Sequence, residues 1–379
     1  MKKQQSIFIA CPWTPKGGGM YKVADYMVQA QSTEADSASA KFMPLDTRGD
    51  KNAAFSMLVL FSALVKVAAG RFNGSLKGVH VNMAERLSLF RKGTLIAFCK
   101  LLGVPVVLHL HAAQLHHFYR ALPAPIKAIT RWFFSISSHC IVLGEAAKSF
   151  VVNELKVPAE KVSIVINGVP RANVARRQRS PSEPFRVLFL GNLSERKGVS
   201  DLLNAFSKIK GEAHLPASNL YLAGGGDIDK YTLLAKELGI AQRVHFEGWC
   251  NQDKASLLLA SADVLVLPSY DEGLPLVILE ALSQGVAVIC TPVGEIPSVL
   301  THSKNALFVQ PGDIAGLATT LADLINDDDL RNSLEVNGRE IYEQKFSIKK
   351  FFNDITVIHQ QYFGAAAALK KQLITEPKL

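Results

Sequence analysis

Residues 268–296, PSYDEGLPLVILEALSQGVAVICTPVGEI, contain a loop, a helix and a strand that follow an earlier strand at residues 264–269. That earlier strand, VLVLPS, is short, apolar and rich in β-branched side chains, as buried parallel strands are. Pro275 suits the first position of a helix, where the N–H group that proline lacks has no partner, and Gly285 is predicted to end the helix. Open α/β sheets bind ligands at the carboxyl ends of their strands, so the loop before this helix is a predicted binding site.

Two carboxylates, Glu272 and Glu280, lie eight residues apart in this stretch. Eight helical residues rise about 12 Å, so the pair is predicted to hold the two ends of an extended ligand rather than one metal ion. The N–H groups of Gly273, Leu274 and Leu276 at the helix start, together with the helix dipole, favour an anion between the carboxylates. A nucleoside diphosphate sugar has this layout of sugar hydroxyls, phosphates and ribose hydroxyls.

Length and cysteine usage indicate a two-domain protein of a reducing compartment. The chain has 379 residues, 48% of them apolar, and its five cysteines include no C-x-x-C pair. This argues against a disulfide framework or a zinc site and favours the cytosol. The start, MKKQQSIFIACPW, is predicted to form the first strand, because its apolar run is too short for a secretory signal. The longest apolar run, residues 53–65, falls short of the roughly twenty residues that span a bilayer, so no transmembrane helix is predicted.

The charge is distributed unevenly along the chain. Residues 1–182 carry 24 Lys and Arg against 9 Asp and Glu, whereas residues 183–379 carry 18 against 24. Two explanations stay open for the basic half: a solvated surface, or contact with an anionic partner such as the inner leaflet of a membrane, a pyrophosphate-linked lipid or an acidic glycan. Nucleic acid is not expected, because no nucleic-acid-binding motif accompanies the dispersed cations.

Two further stretches place polar groups after predicted strands. Gly17, Gly18 and Gly19 form a turn that leads into a helix, where the backbone could approach a phosphate or simply turn tightly. The run VPVVLHLH is a predicted strand that places His109 and His111 on the same face. Both histidines are compatible with structural roles, and a zinc site would need further ligands that the sequence does not position.

The second half of the chain restarts the alternation of strands and helices. Residues 171–184, RANVARRQRSPSEP, break every periodicity and are predicted to be a linker. VLFLGN, LYLAGGG, VHFEG, VLVLPS, VAVICT and LFV then alternate with helical segments, which predicts a second parallel sheet wrapped by helices.

In this order of motifs the chain resembles the retaining glycosyltransferases of family 4. The resemblance covers nearly the whole chain and rests on PKGGGMYKVADYM, HLHAA, INGV, GNLSERKGVSDLL, LAGGG, VHFEGW, SADVLVLPSYDEGLPLVILEALSQG and TPVGEIPSVL. It implies the α/β fold called GT-B, with two facing Rossmann-like domains, a cleft between them and a C-terminal helix that crosses back. The implied divisions are residues 1–170 for an acceptor-side domain, 171–184 for the linker, 185–345 for a nucleotide-sugar-binding domain, and 346–379 for the helix and tail that pack on the first domain.

The resemblance also implies roles for individual residues. Glu272 would contact hydroxyls of the donor sugar, Glu280 would bind the ribose hydroxyls, and Lys197 would bind the diphosphate and neutralise its charge as it leaves. From the other domain, Gly18 and Gly19 would bring backbone N–H groups to the phosphates, so that catalysis would require the cleft to close.

His111 would border the reacting sugar carbon. The predicted catalytic residues are therefore His111, Lys197 and Glu272; the predicted ligand-binding residues are Gly18, Gly19, Arg196, Lys197, Glu272, Gly273, Leu274, Leu276 and Glu280; no metal site is predicted.

One position departs from the family. Many members have an arginine after the glycine of GNLSERKG, where this chain has Asn192, and Arg196 is the nearby cation that would substitute for it. The D-x-D at Asp227 and Asp229 follows LAGGG at a helix start, so capping rather than metal binding is predicted.

The predicted function is retaining, metal-independent transfer of a sugar from a UDP- or GDP-sugar to a lipid-linked or oligosaccharide acceptor in bacterial surface polysaccharide synthesis. The enzyme is expected in the cytoplasm, with peripheral contact between its basic N-terminal domain and the inner face of the membrane. Two alternatives stay open: a sugar-nucleotide epimerase of the same fold, and an inactive relative that binds nucleotide sugars.

Overall fold

The computed structural model describes residues 4–14, 18–34, 40–112, 114–180, 182–209 and 216–365. The chain divides into two compact units. Unit 1 comprises Met1–Gly168 and Ile348–Leu379, and unit 2 comprises Val169–Ser347. Each unit has its own parallel sheet surrounded by helices, which is a Rossmann-like arrangement.

Unit 1 contains six strands in its described residues, in the order β2-β1-β3-β4-β5-β6. Every neighbouring pair is parallel. Its elements are β1 Ser6–Cys11, α1 Gly18–Glu34, β2 Lys41–Asp46, α2 Ala53–Phe72, β3 Leu76–Met83, α3 Leu87–Leu101, β4 Val106–Leu110, α4 Leu115–Ala121, α5 Ala124–Ser135, β5 His139–Val142, α6 Glu145–Asn153 and β6 Val162–Ile164. The last helix of the chain, which is numbered α14 below, also belongs to this unit.

Unit 2 has a second parallel sheet, in the order β12-β11-β10-β7-β8-β9. Its elements are β7 Phe185–Leu190, α7 Val199–Lys208, β8 Ser218–Ala223, α8 Ile228–Glu237, β9 Val244–Gly248, α9 Gln252–Ser261, β10 Val264–Leu267, α10 Leu276–Gln284, β11 Ala287–Cys290, α11 Ile296–Val299, β12 Leu307–Phe308, α12 Ile314–Asn326 and α13 Asp328–Ile341. A short π-helix, Tyr342–Phe346, follows, and α14 Ile348–Phe363 returns to unit 1.

The central strands are buried because their sequences are almost wholly apolar, as expected when helices cover both faces of a parallel sheet. Every residue of β4, β5, β10 and β11 is buried. Both predicted parallel sheets are therefore confirmed. One strand, β2, was not predicted: it contains Pro44, and it tolerates this proline because it lies at the edge of the sheet.

The predicted linker, residues 171–184, has no helix or strand in its described part, yet its arginines are bound to unit 2. Arg177 pairs with Asp263 at 2.9 Å, and the carbonyl of Ala260 accepts a hydrogen bond from the N–H of Arg177 at 2.8 Å. Arg176 donates to Gly285 and pairs with Glu335. The segment is thus fastened along the surface of unit 2.

One helix of the described part of the chain, α2, is long and apolar enough to cross a membrane. Its 20 residues include an 18-residue window with a mean hydropathy of 1.9, of which 28% is buried. The prediction that excluded a spanning helix rested on residues 53–65, but the helix continues to Phe72. Length alone therefore does not exclude α2.

Candidate functional site

The centre of the candidate site is Glu272, in the loop after β10. Its carboxylate forms an ion pair with Lys197 and accepts a hydrogen bond from the hydroxyl of Ser269 at 2.7 Å. The side chains of Lys197 and Glu272 are only 13% and 8% exposed. Thr291 in turn donates to the carbonyl of Ser269 at 2.5 Å. The loops after β7, β10 and β11 therefore meet at one cluster, as the carboxyl ends of parallel strands should.

Close backbone contacts fix the Lys197 loop against the Glu272 loop. The N–H of Tyr270 donates to the carbonyl of Arg196 at 2.9 Å, and the guanidinium of Arg196 donates to the carbonyl of Asp271 at 2.6 Å. Gly198 has a φ of +69°, and a Cβ there would lie 2.0 Å from the carbonyl oxygen of Pro268. Only glycine permits this approach, which sets the position of Lys197.

A second glycine holds the other side of the Glu272 loop. Gly294 has a φ of +59°, and a Cβ there would lie 2.0 Å from the carbonyl oxygen of Glu272. The N–H of Glu295 donates to the carbonyl of Gly273 at 2.9 Å. The loops that carry Gly198 and Gly294 therefore both contact the backbone of the Glu272 loop closely.

The helix α10 differs from its prediction at its start and agrees at its end. Pro275 precedes the first helical residue, Leu276, because its ψ of 123° is extended, so the prediction of Pro275 at the first helical position was wrong by one residue. Gly285 ends the helix, as predicted, and it does so in the left-handed conformation.

This start changes the geometry inferred for the two glutamates. Glu272 lies in the loop, and Glu280 is four residues inside α10, which is a rise of about 6 Å from Leu276. The separation of about 12 Å, which assumed continuous helix from Glu272, is therefore unfounded. Glu280 is 9% exposed on a helix whose residues are all buried.

The predicted anion donors lie at this helix start. Among the described residues, no backbone carbonyl accepts a hydrogen bond from the N–H of Gly273, Leu274 or Leu276. These N–H groups lie just after Glu272 in the chain, at the positive end of the α10 dipole. The arrangement suits a phosphate group between the two glutamates.

Asn192 and Arg196 are both exposed. The bond from Arg196 to Asp271 shows that this arginine fastens the loop that carries Glu272. Its direct contact with a phosphate stays a prediction. Asp227 caps α8 by accepting from the N–H of Lys230 at 3.2 Å, which confirms the predicted capping role of that aspartate.

In unit 1, His111 follows β4 and is held by the neighbouring strand β3. Its N–H donates to the carbonyl of Met83 at 2.8 Å, and its Nε2 lies 2.8 Å from Oδ1 of Asn82. Burial lowers the pKa of His111 to about 3, so the ring is neutral. Because Nδ2 of Asn82 donates to the carbonyl of Ala10, Oδ1 faces the ring, and Nε2 of His111 carries the proton.

His109 and His111 do share a face, as predicted, with ring centroids 4.0 Å apart. His109 continues inward through His80 to His359 on α14, with ring nitrogens 3.3 and 2.9 Å apart. The histidines of the HLH motif therefore differ in position: His109 belongs to the core, and His111 lies just beyond the carboxyl end of β4.

Gly18 and Gly19 begin α1 in the same unit. Gly18 has a φ of +68°, and both positions have open space where a side chain would stand. Lys92 lies near this helix start, with its ammonium 3.7 Å from the sulfur of Met20 and 3.4 Å from the hydroxyl of Ser88. Burial lowers the pKa of Lys92 to about 7. No sequence pattern indicated that this lysine is buried here, since only the fold brings α3 beside the start of α1.

The predicted residues thus form two groups. Unit 2 brings together Lys197, Glu272 and the start of α10, and it holds Arg196 against the same loop. His111, Gly18 and Gly19 follow strands of the unit 1 sheet. Sequence analysis missed Ser269 and Thr291, which position Glu272, because small hydroxyl residues at strand ends are too common to single out.

The two parallel sheets define a two-domain Rossmann-like protein. At the carboxyl ends of the unit 2 strands, glycines allow the loops to approach closely and form a polar cluster that suits a nucleotide. Residues 171–341 match the family model "Glycosyl transferases group 1", and residues 80–173 match "Glycosyltransferase Family 4". Together the two matches span residues 80–341 and support a glycosyltransferase of the group 1, family 4 type.

Proteins with similar sequences are also named as glycosyltransferases. The lipopolysaccharide core biosynthesis glycosyltransferase LpsE of Rhizobium meliloti is 31% identical over 223 residues, which cover 58% of this chain and 63% of LpsE. An uncharacterised glycosyltransferase of Methanocaldococcus jannaschii is 29% identical over 224 residues, 56% of this chain and 57% of that protein. The chain thus matches about three fifths of the length of these curated relatives.

Solved structures share the fold over nearly the whole chain. Sucrose-phosphate synthase from Thermosynechococcus elongatus superposes with a TM-score of 0.76 at 18% identity, covering 94% of this chain and 99% of that one. HepE of Anabaena, in complex with UDP, superposes with a TM-score of 0.73 at 17% identity, and the match covers 94% of this chain and 100% of that one.

Proposed function

We propose that the protein is a retaining glycosyltransferase that moves a sugar from a UDP- or GDP-sugar to a lipid-linked or oligosaccharide acceptor in bacterial surface polysaccharide synthesis. The observation that carries this proposal is the cluster of Lys197, Glu272 and the α10 start in unit 2. It combines a cation, a carboxylate and backbone donors on adjacent loops. A diphosphate sugar needs all three.

The chemistry follows from the charge that develops during transfer. When the anomeric bond breaks, negative charge grows on the departing diphosphate, and an ammonium group together with oriented N–H groups stabilises it. Lys197 is the cation of the cluster, so we propose that no divalent ion is required. The acceptor hydroxyl would attack on the face that the phosphate leaves, which retains the anomeric configuration.

Glu272 and Lys197 neutralise one another in this structure. We propose that the donor enters between them: its phosphate takes over part of the interaction with Lys197, and its sugar hydroxyls donate to Glu272. Ser269 keeps the carboxylate oriented throughout, because its hydroxyl is fully buried and bonded to Oε1.

The acceptor and location are proposed from relatives and charge. One relative is named for lipopolysaccharide core biosynthesis, and a structural neighbour was solved with UDP. The excess of cations in residues 1–182 suits an acceptor with a pyrophosphate or an acidic glycan at the cytoplasmic face of a membrane.

The test is transfer of labelled sugar from a panel of UDP- and GDP-sugars to polyprenyl-pyrophosphoryl glycans, with the product anomer assigned by NMR. Lys197→Met should lower the transfer rate at least a hundredfold, because it removes the cation that meets the leaving group. Lys350→Met is the matched control, since the pair of Lys350 with Asp354 is 48% and 33% exposed and lies on α14 in unit 1. Equal rates for both variants, or an inverted product, would contradict the proposal.

A further inference from the structure

The helix α2 has its larger apolar side chains on the outside, the reverse of the usual amphipathic helix. The buried stripe consists of Ser56, Leu60, Ala63, Val67 and Gly70, three of which (Ser56, Ala63 and Gly70) are small. The large apolar side chains that are 51–80% exposed are Met57, Leu58, Phe61, Val65 and Phe72. Water is an unfavourable environment for this face, so it is expected to be covered in the working protein.

The buried stripe keeps α2 on unit 1. It packs against β2, β3 and α3, and a Cβ on Gly70 would already lie 3.0 Å from Leu76. Arg71 donates to the carbonyl of Leu102 at 3.0 Å, which joins the C-terminal ends of α2 and α3. Crossing a bilayer would strip α2 from this packing, whereas lying along a bilayer surface would preserve it.

The charges around α2 identify what covers it. Lys51, Lys66 and Arg71 lie in α2 or just before it and are all exposed, whereas Asp50 is the only carboxylate in residues 50–84. Lys66 is exposed on α2 itself, and Lys100 is exposed at the end of α3, next to Leu101, which is 80% exposed. An apolar strip with exposed cations on its own helix and at the end of α3 suits anionic lipid headgroups, while a second copy of the same surface would bring like charges together.

We propose that the exposed face of α2, formed by Met57, Leu58, Phe61, Val65 and Phe72, docks on an anionic bilayer. The helix lies parallel to the membrane plane, its apolar side chains enter the boundary between headgroups and acyl chains, and Lys66 and Lys100 contact the headgroups. This inference deepens the proposed function, because a lipid-linked acceptor would be presented at the same surface.

The test is flotation of the whole protein with vesicles of phosphatidylglycerol and phosphatidylcholine, and with vesicles of phosphatidylcholine alone. The wild type should float with the anionic vesicles. Leu58→Ser combined with Phe61→Ser should weaken partitioning at least tenfold, because two apolar side chains no longer leave water. Lys66→Gln combined with Lys100→Gln should weaken it at least fivefold on anionic vesicles only.

The matched control replaces exposed apolar residues of unit 2. Leu257 and Val336 are 58% and 68% exposed, so Leu257→Ser combined with Val336→Ser removes similar apolar area without affecting α2. This variant should float like the wild type. Unchanged thermal midpoints would show that all variants are folded.

Three results would overturn the proposal: no flotation of the wild type with anionic vesicles, equal flotation of the Leu58/Phe61 variant, or a dimer in light scattering that this variant dissociates. Flotation requires neither donor nor acceptor. Vesicle binding without sugar transfer would therefore contradict the proposed function alone, and transfer without vesicle binding would contradict the docking surface alone.

Discussion

Glu272 is positioned by groups from three loops: Lys197 pairs with its carboxylate, the hydroxyl of Ser269 donates to it, and Thr291 donates to the carbonyl of Ser269. The eight-residue spacing to Glu280 and the lysine of the R-K-G motif indicated the polar residues of the site. The direct pairing of Lys197 with Glu272 was not foreseen, because they are 75 residues apart and only the order of β7 and β10 in the sheet makes them neighbours.

The buried histidines of unit 1 predict how stability depends on pH. His80, His109 and His359 are fully buried; burial lowers the pKa of His80 to about 3 and holds those of His109 and His359 well below their usual value. In the unfolded chain they bind protons near pH 6.5. The unfolded state therefore binds more protons below pH 6.5, and stability falls as the pH drops from about 6.5 towards 3.

Each histidine should cost about 1.4 kcal/mol of unfolding free energy per pH unit within this window. Thermal midpoints measured at pH 7.5, 6.5 and 5.5 should fall with acidification, and His359→Gln should reduce the slope. His117→Gln, at an exposed position of α4, is the control and should leave the slope unchanged. A midpoint that is constant or rises at pH 5.5 would refute the explanation.

At the scale of elements, the site is a set of loops held at contact distance by glycines. The sequence located the loops, because each follows a run of buried strand residues. It did not reveal that Gly198 and Gly294 are required for close approach, since the atoms they meet belong to Pro268 and Glu272 on other loops. The start of α10 was misplaced because proline is accepted both before and inside a first helical turn.

A substitution at Gly294 tests this arrangement. Gly294→Ala places a methyl group 2.0 Å from the carbonyl oxygen of Glu272, so the loop has to move and donor affinity should fall at least tenfold. Gly103→Ala is matched in backbone conformation, with a φ of +65° and open space around the position. It should cost only the strain of a left-handed alanine, about 1 kcal/mol of stability, and leave donor binding unchanged. Equal donor affinities in both variants would show that the contact at Gly294 does not position Glu272.

At the scale of the whole molecule, the alternation of strands and helices was enough to predict two Rossmann-like units. The edge strand β2 was not predicted, because its sequence, KFMPLD, has poor alternation of apolar and polar residues and contains proline. The distribution of charge was visible in the sequence, but the outward-facing apolar side of α2 was not. A helical pattern shows that a helix has two faces, and only the packing shows which face is buried.

The central claim is that unit 2 binds a nucleotide sugar between Lys197, Glu272 and Glu280, and calorimetric titration with UDP- and GDP-sugars tests it most directly. Wild-type protein should bind at least one donor. Glu280→Ala should raise the dissociation constant at least tenfold, because a carboxylate hydrogen bond to ribose is worth about 1.5–3 kcal/mol. Glu237→Ala, at an exposed position of α8, should bind like the wild type. An unchanged constant for Glu280→Ala, or no binding of any donor, would contradict the claim.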